Sequence, residues 1–92
     1  MVISNLINEN NDKKIANQFI FTIEKYNIEV FQSYDTIIAV RDLRTNLVYT
    51  DNGLFDYSKT TAKHFTNYNN SVNGTVVLGG QIYKYAEQIK GL

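Results

Sequence analysis

The apolar residues of this chain recur with two periods, one near two and one near three and a half, and the changes between them divide the chain into elements. From Gln18, Phe19, Phe21 and Ile23 fall to one side and Ile20 and Thr22 to the other, which predicts a strand. Asparagine tolerates the left-handed backbone, so a turn is expected near residues 25–27. Ile28, Val30 and Gln32 then alternate with Glu29, Phe31 and Ser33 as a second strand. "DTIIAVRD" (35–42) is apolar on both faces and reads as a central third strand. "LRTN" makes a hairpin loop, Leu47, Val48 and Tyr49 return as a fourth strand, and "TDNG" ends it.

Helical spacing appears in three places. Val2, Ile3, Leu6 and Ile7 lie opposite Asn5, Asn8 and Glu9, which predicts a short N-terminal helix or an arm docked by its apolar side. "NENNDKK" (8–14) follows as a loop, or in its last residues as a helix start at Asp12. Over 58–69, Tyr57, Thr61, Phe65 and Tyr68 form one stripe, Ala62 and His64 its shoulders, and Lys59, Thr60, Lys63 and Asn67 the outer face. Asp56 and Ser58 stand where side-chain oxygens cap the first helix N–H groups. The Asn-rich "NYNNSVNG" is expected to break this helix, and 75–78 to add a last short strand. "QIYKYAEQIK" carries Ile82, Tyr85, Ala86 and Ile89 as the stripe of a C-terminal helix stopped by Gly91, with Tyr83 pointing away.

Together these predict one α+β domain over 1–92: an antiparallel sheet of four strands, or five, covered on one face by two helices, with the N-terminal segment at an edge. Composition narrows the chemistry. Nine basic residues balance nine acidic ones, which removes the long-range field that draws non-specific binders to nucleic acid. Without cysteine, thiolate metal sites, disulfides and cysteine nucleophiles are excluded. The first ten residues have no basic start followed by an apolar core, so a cytoplasmic location is the expectation.

"FDYSKTTAKHF" (55–65) holds the single histidine among hydroxyl and charged groups. A catalytic reading makes His64 a general base beside Asp56 or Asp51, with Ser58 or Thr61 as nucleophile. His64 stands two turns from Ser58 on the same helix, and no oxyanion loop is visible, so capping explains the stretch better and no enzyme is expected. One histidine with scattered carboxylates forms no spaced ligand set, so neither metal nor cofactor is expected. "GTVVLGGQ" (74–81) has the strand, Gly-Gly and helix order of a phosphate loop but lacks its lysine and hydroxyl. "DNGLFD" (51–56) lacks the closing glutamate of a calcium loop. Both read as turns.

"VFQSYDTIIA" (30–39) and "FDYSKTTAKHF", about sixteen residues apart, resemble a family of short phage-encoded proteins of unknown function. There a "SYDT" strand entry precedes a helix entry of the form W-D-Y-S-x-T-T-x-K-H/Y, with Phe55 standing here for the tryptophan. The resemblance covers 30–68 and marks Tyr34, Asp35, Thr36, Tyr57, Ser58, Thr60, Thr61 and His64 as pattern positions of structural character. Asp35 and Thr36 are expected to bond Ser58 and Thr61 and so lock the helix over the sheet. The resemblance implies a mobile-element origin, which twelve asparagines fit as a mark of an AT-rich genome.

By analogy with small neutral phage proteins, the function expected is inhibition of a bacterial defence system by binding a host protein, a Cas effector first, as an anti-CRISPR does. Tyr26, Tyr49 and Tyr83, with Asp42, Asp51 and Glu87 as phosphate mimics, are the expected contact residues. The alternative is a small nucleic-acid-binding domain using Arg41, Arg44, Lys59 and Lys63. Self-association through a sheet edge or the N-terminal segment leaves room for a homodimer.

Overall fold

The computed structural model describes residues 2–8, 10–51 and 58–79. Strands β1 (Val2–Ile7), β2 (Lys14–Ile23), β3 (Ile28–Ser33), β4 (Thr36–Asp42), β5 (Leu47–Thr50) and β6 (Thr75–Leu78) lie side by side in chain order. The first four pairings are antiparallel, whereas β6 runs parallel to β5. A tight turn cannot join parallel neighbours. Helix α1 (Lys59–Val72) lies in the connection between them. The expected antiparallel sheet of four or five strands is therefore corrected to a mixed sheet of six.

The N-terminal helix or arm is also corrected. Residues 2–7 form the edge strand β1, with Ile3 opposite Phe21 and Ser4 opposite Ile20. Six residues are too few to hold a helix by themselves, and the open edge of β2 offers their backbone a complete set of partners. Among the described residues there is one α-helix, α1, beside a single turn of 3-10 helix at Glu24–Tyr26. The helix expected over 81–90 lies outside the described residues.

Register separates the two faces of the sheet, because directly paired residues point the same way. Ser4, Ile20, Phe31, Ala39 and Thr50 follow one another across the strands on one face. There Leu6, Phe31, Ile38, Ala39 and Val48 receive Phe65 and Tyr68 of α1 in one buried cluster. The opposite face carries the row Ile3, Phe21, Val30, Val40, Tyr49 and Val77. Its buried centre is Ile23, Ile28, Val30 and Val40. Ile38 escapes strict alternation because the register slips between Phe31 and Gln32, so Ile38 and Ala39 both reach the α1 cluster.

Among the described residues six other than glycine have positive φ: Asp12, Asn17, Asn27, Tyr34, Asn46 and Asn73. Asparagine and aspartate enter the left-handed region at little cost, so four of the many asparagines sit where the chain must reverse or bulge. Asn17 lies in the stretch of β2 where the partner of β1 jumps from Phe19 to Lys14. This bulge explains why β2 begins four residues before the alternating pattern does. Asn73 ends α1, its N–H bonding back to Asn69 and Asn70. The helix thus runs through the Asn-rich stretch that was expected to break it.

Gly74 joins α1 to β6 at close quarters. A Cβ there would overlap Cγ2 of the fully buried Val48 and stand 2.7 Å from Oδ1 of Asn69. Gly74→Ala is expected to lower stability by about 1–3 kcal/mol, since the fully buried Val48 has no free space to retreat into. A urea titration measures it, with an unchanged midpoint as the contrary result.

Candidate interaction surface

An open apolar groove of about 340 Å³ is lined by Ile3, Phe19, Phe21 and Gln32, on the face away from α1. β2 supplies Phe19 and Phe21, whose spacing of two puts both rings on this face, while Ile3 of β1 forms the wall at the sheet edge. Both rings are half-buried and Ile3 is 65% exposed. Gln32 stands opposite Phe19 and closes the far side.

Tyr34 stands at the turn after Gln32. Its φ of 55° is unusual for a bulky side chain, and its backbone is held from both directions. The Tyr34 N–H donates to the carbonyl of Asn17 at 2.7 Å, and Gln32 Nε2 donates to the Tyr34 carbonyl at 2.7 Å. The side chain is nevertheless 65% exposed. A residue held in a costly conformation without contributing to the core points toward function.

A second, polar niche of about 60 Å³ surrounds His64, lined by Asn8, Asn10, Ile15, Lys63 and Asn67. It has room for a water or two and is far below the size of a substrate pocket. Burial, then the charge of Lys63, holds the His64 imidazole below its usual value of 6.5. Its contribution to stability is therefore whole above that value and falls as the pH drops below it, because the unfolded chain takes up the proton first. His64→Gln is expected to flatten the loss of stability between neutral pH and about pH 5. Thermal midpoints of the two chains across that range decide it, and parallel curves would contradict it. Asn67, expected on the outer face of α1, is buried instead and donates Nδ2 to the Ile7 carbonyl at 3.0 Å. That carbonyl of β1 faces the helix and requires a donor there.

The other expected contact residues are scattered. Asp42 is buried and accepts the Arg44 N–H at 2.8 Å, which holds the turn after β4. Tyr26 is half-buried against the Ile28 cluster beneath the Lys25 ammonium. Tyr49 and Asp51 are half-buried and engaged. Tyr57, Tyr83 and Glu87 lie outside the described residues. Ser58 caps α1 by accepting the Thr61 N–H at 3.2 Å, and the two hydroxyls lie 3.1 Å apart. Among the described residues no hydrogen bond joins Asp35 or Thr36 to Ser58 or Thr61, so that lock is not made; Asp35 and Thr36 are exposed, as is Thr60.

Of the basic residues, Lys59 and Lys63 are exposed on α1 and Arg44 is 68% exposed. Arg41 is drawn into a network below the helix. Its Nε and Nη2 each lie 3.1 Å from Glu29 Oε1, which also accepts the Tyr68 hydroxyl at 2.9 Å, and its Nη1 donates to Asn46 Oδ1 at 2.7 Å. Asn46 Nδ2 in turn donates to the carbonyls of Val72 and Asn73. Burial works against the Arg41 charge, but the bond and charge of Glu29, then Tyr68, outweigh it and raise its pKa. Burial, and next Glu29, push the Tyr68 phenol far above its ordinary range, so it stays a donor. Among the described residues there is no cluster of three or more metal-ligating side chains, and no helix is long and apolar enough to cross a membrane.

The fold defines a small α+β domain built on a mixed six-stranded sheet with one described helix. The chain belongs to the family of unknown function DUF8033, whose family model matches residues 1–84. Among proteins of curated function and among solved structures, none matches it.

Proposed function

We propose that this protein acts by contact, covering part of another protein with the Ile3–Phe19–Phe21 groove and with the exposed Tyr34, two residues beyond the groove-lining Gln32, as an aromatic anchor. The exposed ring of Tyr34 on a left-handed backbone carries this reading. Aromatic side chains set beside an apolar depression are the usual centres of binding energy in interfaces. The target we assign is a bacterial defence component in the cytoplasm of an infected cell, a Cas effector first, which would make the protein a phage-encoded anti-CRISPR. What supports the target is the resemblance of the "FQSYDTIIA" and "DYSKTTAKH" blocks to short phage proteins, a ground separate from the groove.

The experiment is co-purification of the tagged chain with the defence complexes of its host, scored alongside rescue of phage plaquing. Tyr34→Asn is expected to weaken the complex at least tenfold while raising the stability of the free chain by about 0.5–1 kcal/mol, since asparagine relieves the backbone. Unchanged affinity would remove Tyr34 from the contact. Absence of binding to every defence complex would remove the target. A salt-sensitive gel shift abolished by Lys59→Ala and Lys63→Ala would favour the nucleic-acid alternative.

A further inference from the structure

We propose that β1 pairs antiparallel with the β1 of a second copy about a twofold axis at Asn5, joining two sheets edge to edge. Among the described residues the sheet ends at β1. Apart from the Ile7 carbonyl, which already accepts Asn67 Nδ2, what such an edge presents is a row of alternating donors and acceptors, which another strand satisfies best. Natural edge strands are commonly protected by lysine, proline or an inward charge. "VISNLI" has none of these. It exposes Ile3 and Ile7 instead, at 65% and 42%.

A strand paired antiparallel with its own copy is related to it by a twofold, so the contact closes on itself. In a continuous sheet, residues directly opposite one another share a face, and alternate residues of a strand lie on opposite faces. Ser4 and Asn5 are the central positions that satisfy this with most of β1 overlapping. Centring on Ser4 sets Ile3 against Asn5 of the partner and leaves Ile7 beyond the overlap. Centring on Asn5 sets Ile3 against Ile7 of the partner twice, on the face away from α1, and so covers both exposed isoleucines of each copy. The strand is uncharged, so it meets its own copy without like-charge repulsion. β6, at the opposite edge, has four residues against the six of β1. A contact of β6 with β1 would also be head-to-tail and would not stop at two chains.

The axis runs perpendicular to the sheet, so both Ile3–Phe19–Phe21 grooves open to the same side, flanking the seam. The pairing does not depend on what fills them.

Sedimentation equilibrium of the full chain from about 1 μM to about 1 mM tests the pairing, with the weight-average mass expected to rise from one chain to two and stop there. Ile7→Lys, outside the groove, is expected to weaken association at least tenfold. Ile3→Glu combined with Ile7→Lys is expected to restore it, because the added carboxylate meets the added ammonium across the seam, while within one chain the two positions are about 13 Å apart. Ile3→Lys with Ile7→Lys is expected to abolish it. Circular dichroism checks the fold of each variant, and if Ile7→Lys does not fold, Ile7→Thr is expected to weaken association several-fold. A mass of one chain throughout, growth beyond two, or no restoration in the Glu/Lys variant would overturn the pairing. So would association lost in Tyr34→Asn but kept in Ile7→Lys. The binding assay with defence complexes is read separately, so failure here leaves the groove reading standing.

Discussion

Tyr68→Ala is expected to cost about 3–5 kcal/mol, a large part of the stability of a domain this small. Tyr68 is fully buried, and its ring stacks on Phe31 with centroids 5.1 Å apart and planes within 10°. Its hydroxyl ends at Glu29. Truncation to alanine removes the ring that fills the space between α1 and the sheet and leaves a cavity walled by Phe31, Val48 and Leu6. Tyr68→Phe keeps the stack and loses the hydrogen bond alone, so about 1–2 kcal/mol is expected. Urea unfolding of both variants separates the two contributions. Equal losses in the two variants would show that the hydroxyl, and not the ring, fastens the helix.

Glu29→Ala is expected to cost about 2–4 kcal/mol, because it leaves the Arg41 guanidinium and the Tyr68 hydroxyl without their shared acceptor. The side chains of Glu29 and Arg41 are only 14% and 19% exposed, so water replaces the lost partner poorly. Replacing both charges at once, Glu29→Leu with Arg41→Met, is expected to recover most of that loss, since no uncompensated charge remains. Arg41 also holds Asn46, which holds the end of α1 through Val72 and Asn73. The double variant should therefore fall short of full recovery. Chemical denaturation of the three chains checks this, and a double variant as unstable as Glu29→Ala would show that repacking fails and that charge is not the cause.

Much of the middle of the chain was legible from residue pattern. Phe19 to Ser33 alternate as a hairpin should, the Asn27 turn carries its residue in the left-handed region, and Ser58 caps a helix whose inner stripe is Phe65 and Tyr68. What pattern could not give was decided by partners distant in sequence. Val2, Ile3, Leu6 and Ile7 fit helical spacing as well as a bulged strand, and only the free edge of β2 selects the strand. Asn67 looks like a surface residue until the Ile7 carbonyl is placed beside it. The same holds for the candidate surface. Phe19 and Phe21 were visible as one face, but the prominence of Tyr34 comes from its φ and its bonds to Asn17 and Gln32, for which "SYDT" gives no signal beyond position. Asp42 and Arg41 looked available for contact because charge alone does not disclose an internal partner.

Chain-order adjacency of the strands also governs how the fold is reached. Each antiparallel pairing closes over a short stretch of sequence, the longest from Val2 to Thr22, whereas Leu47 must wait for Thr75. Loop closure slows as the intervening chain lengthens. The hairpins around β2, β3 and β4 should therefore assemble first, and β6 should dock last, after α1 has coiled and settled on Phe31. On a ribosome the same order applies, since the segments that pair early are also made before the one that pairs last.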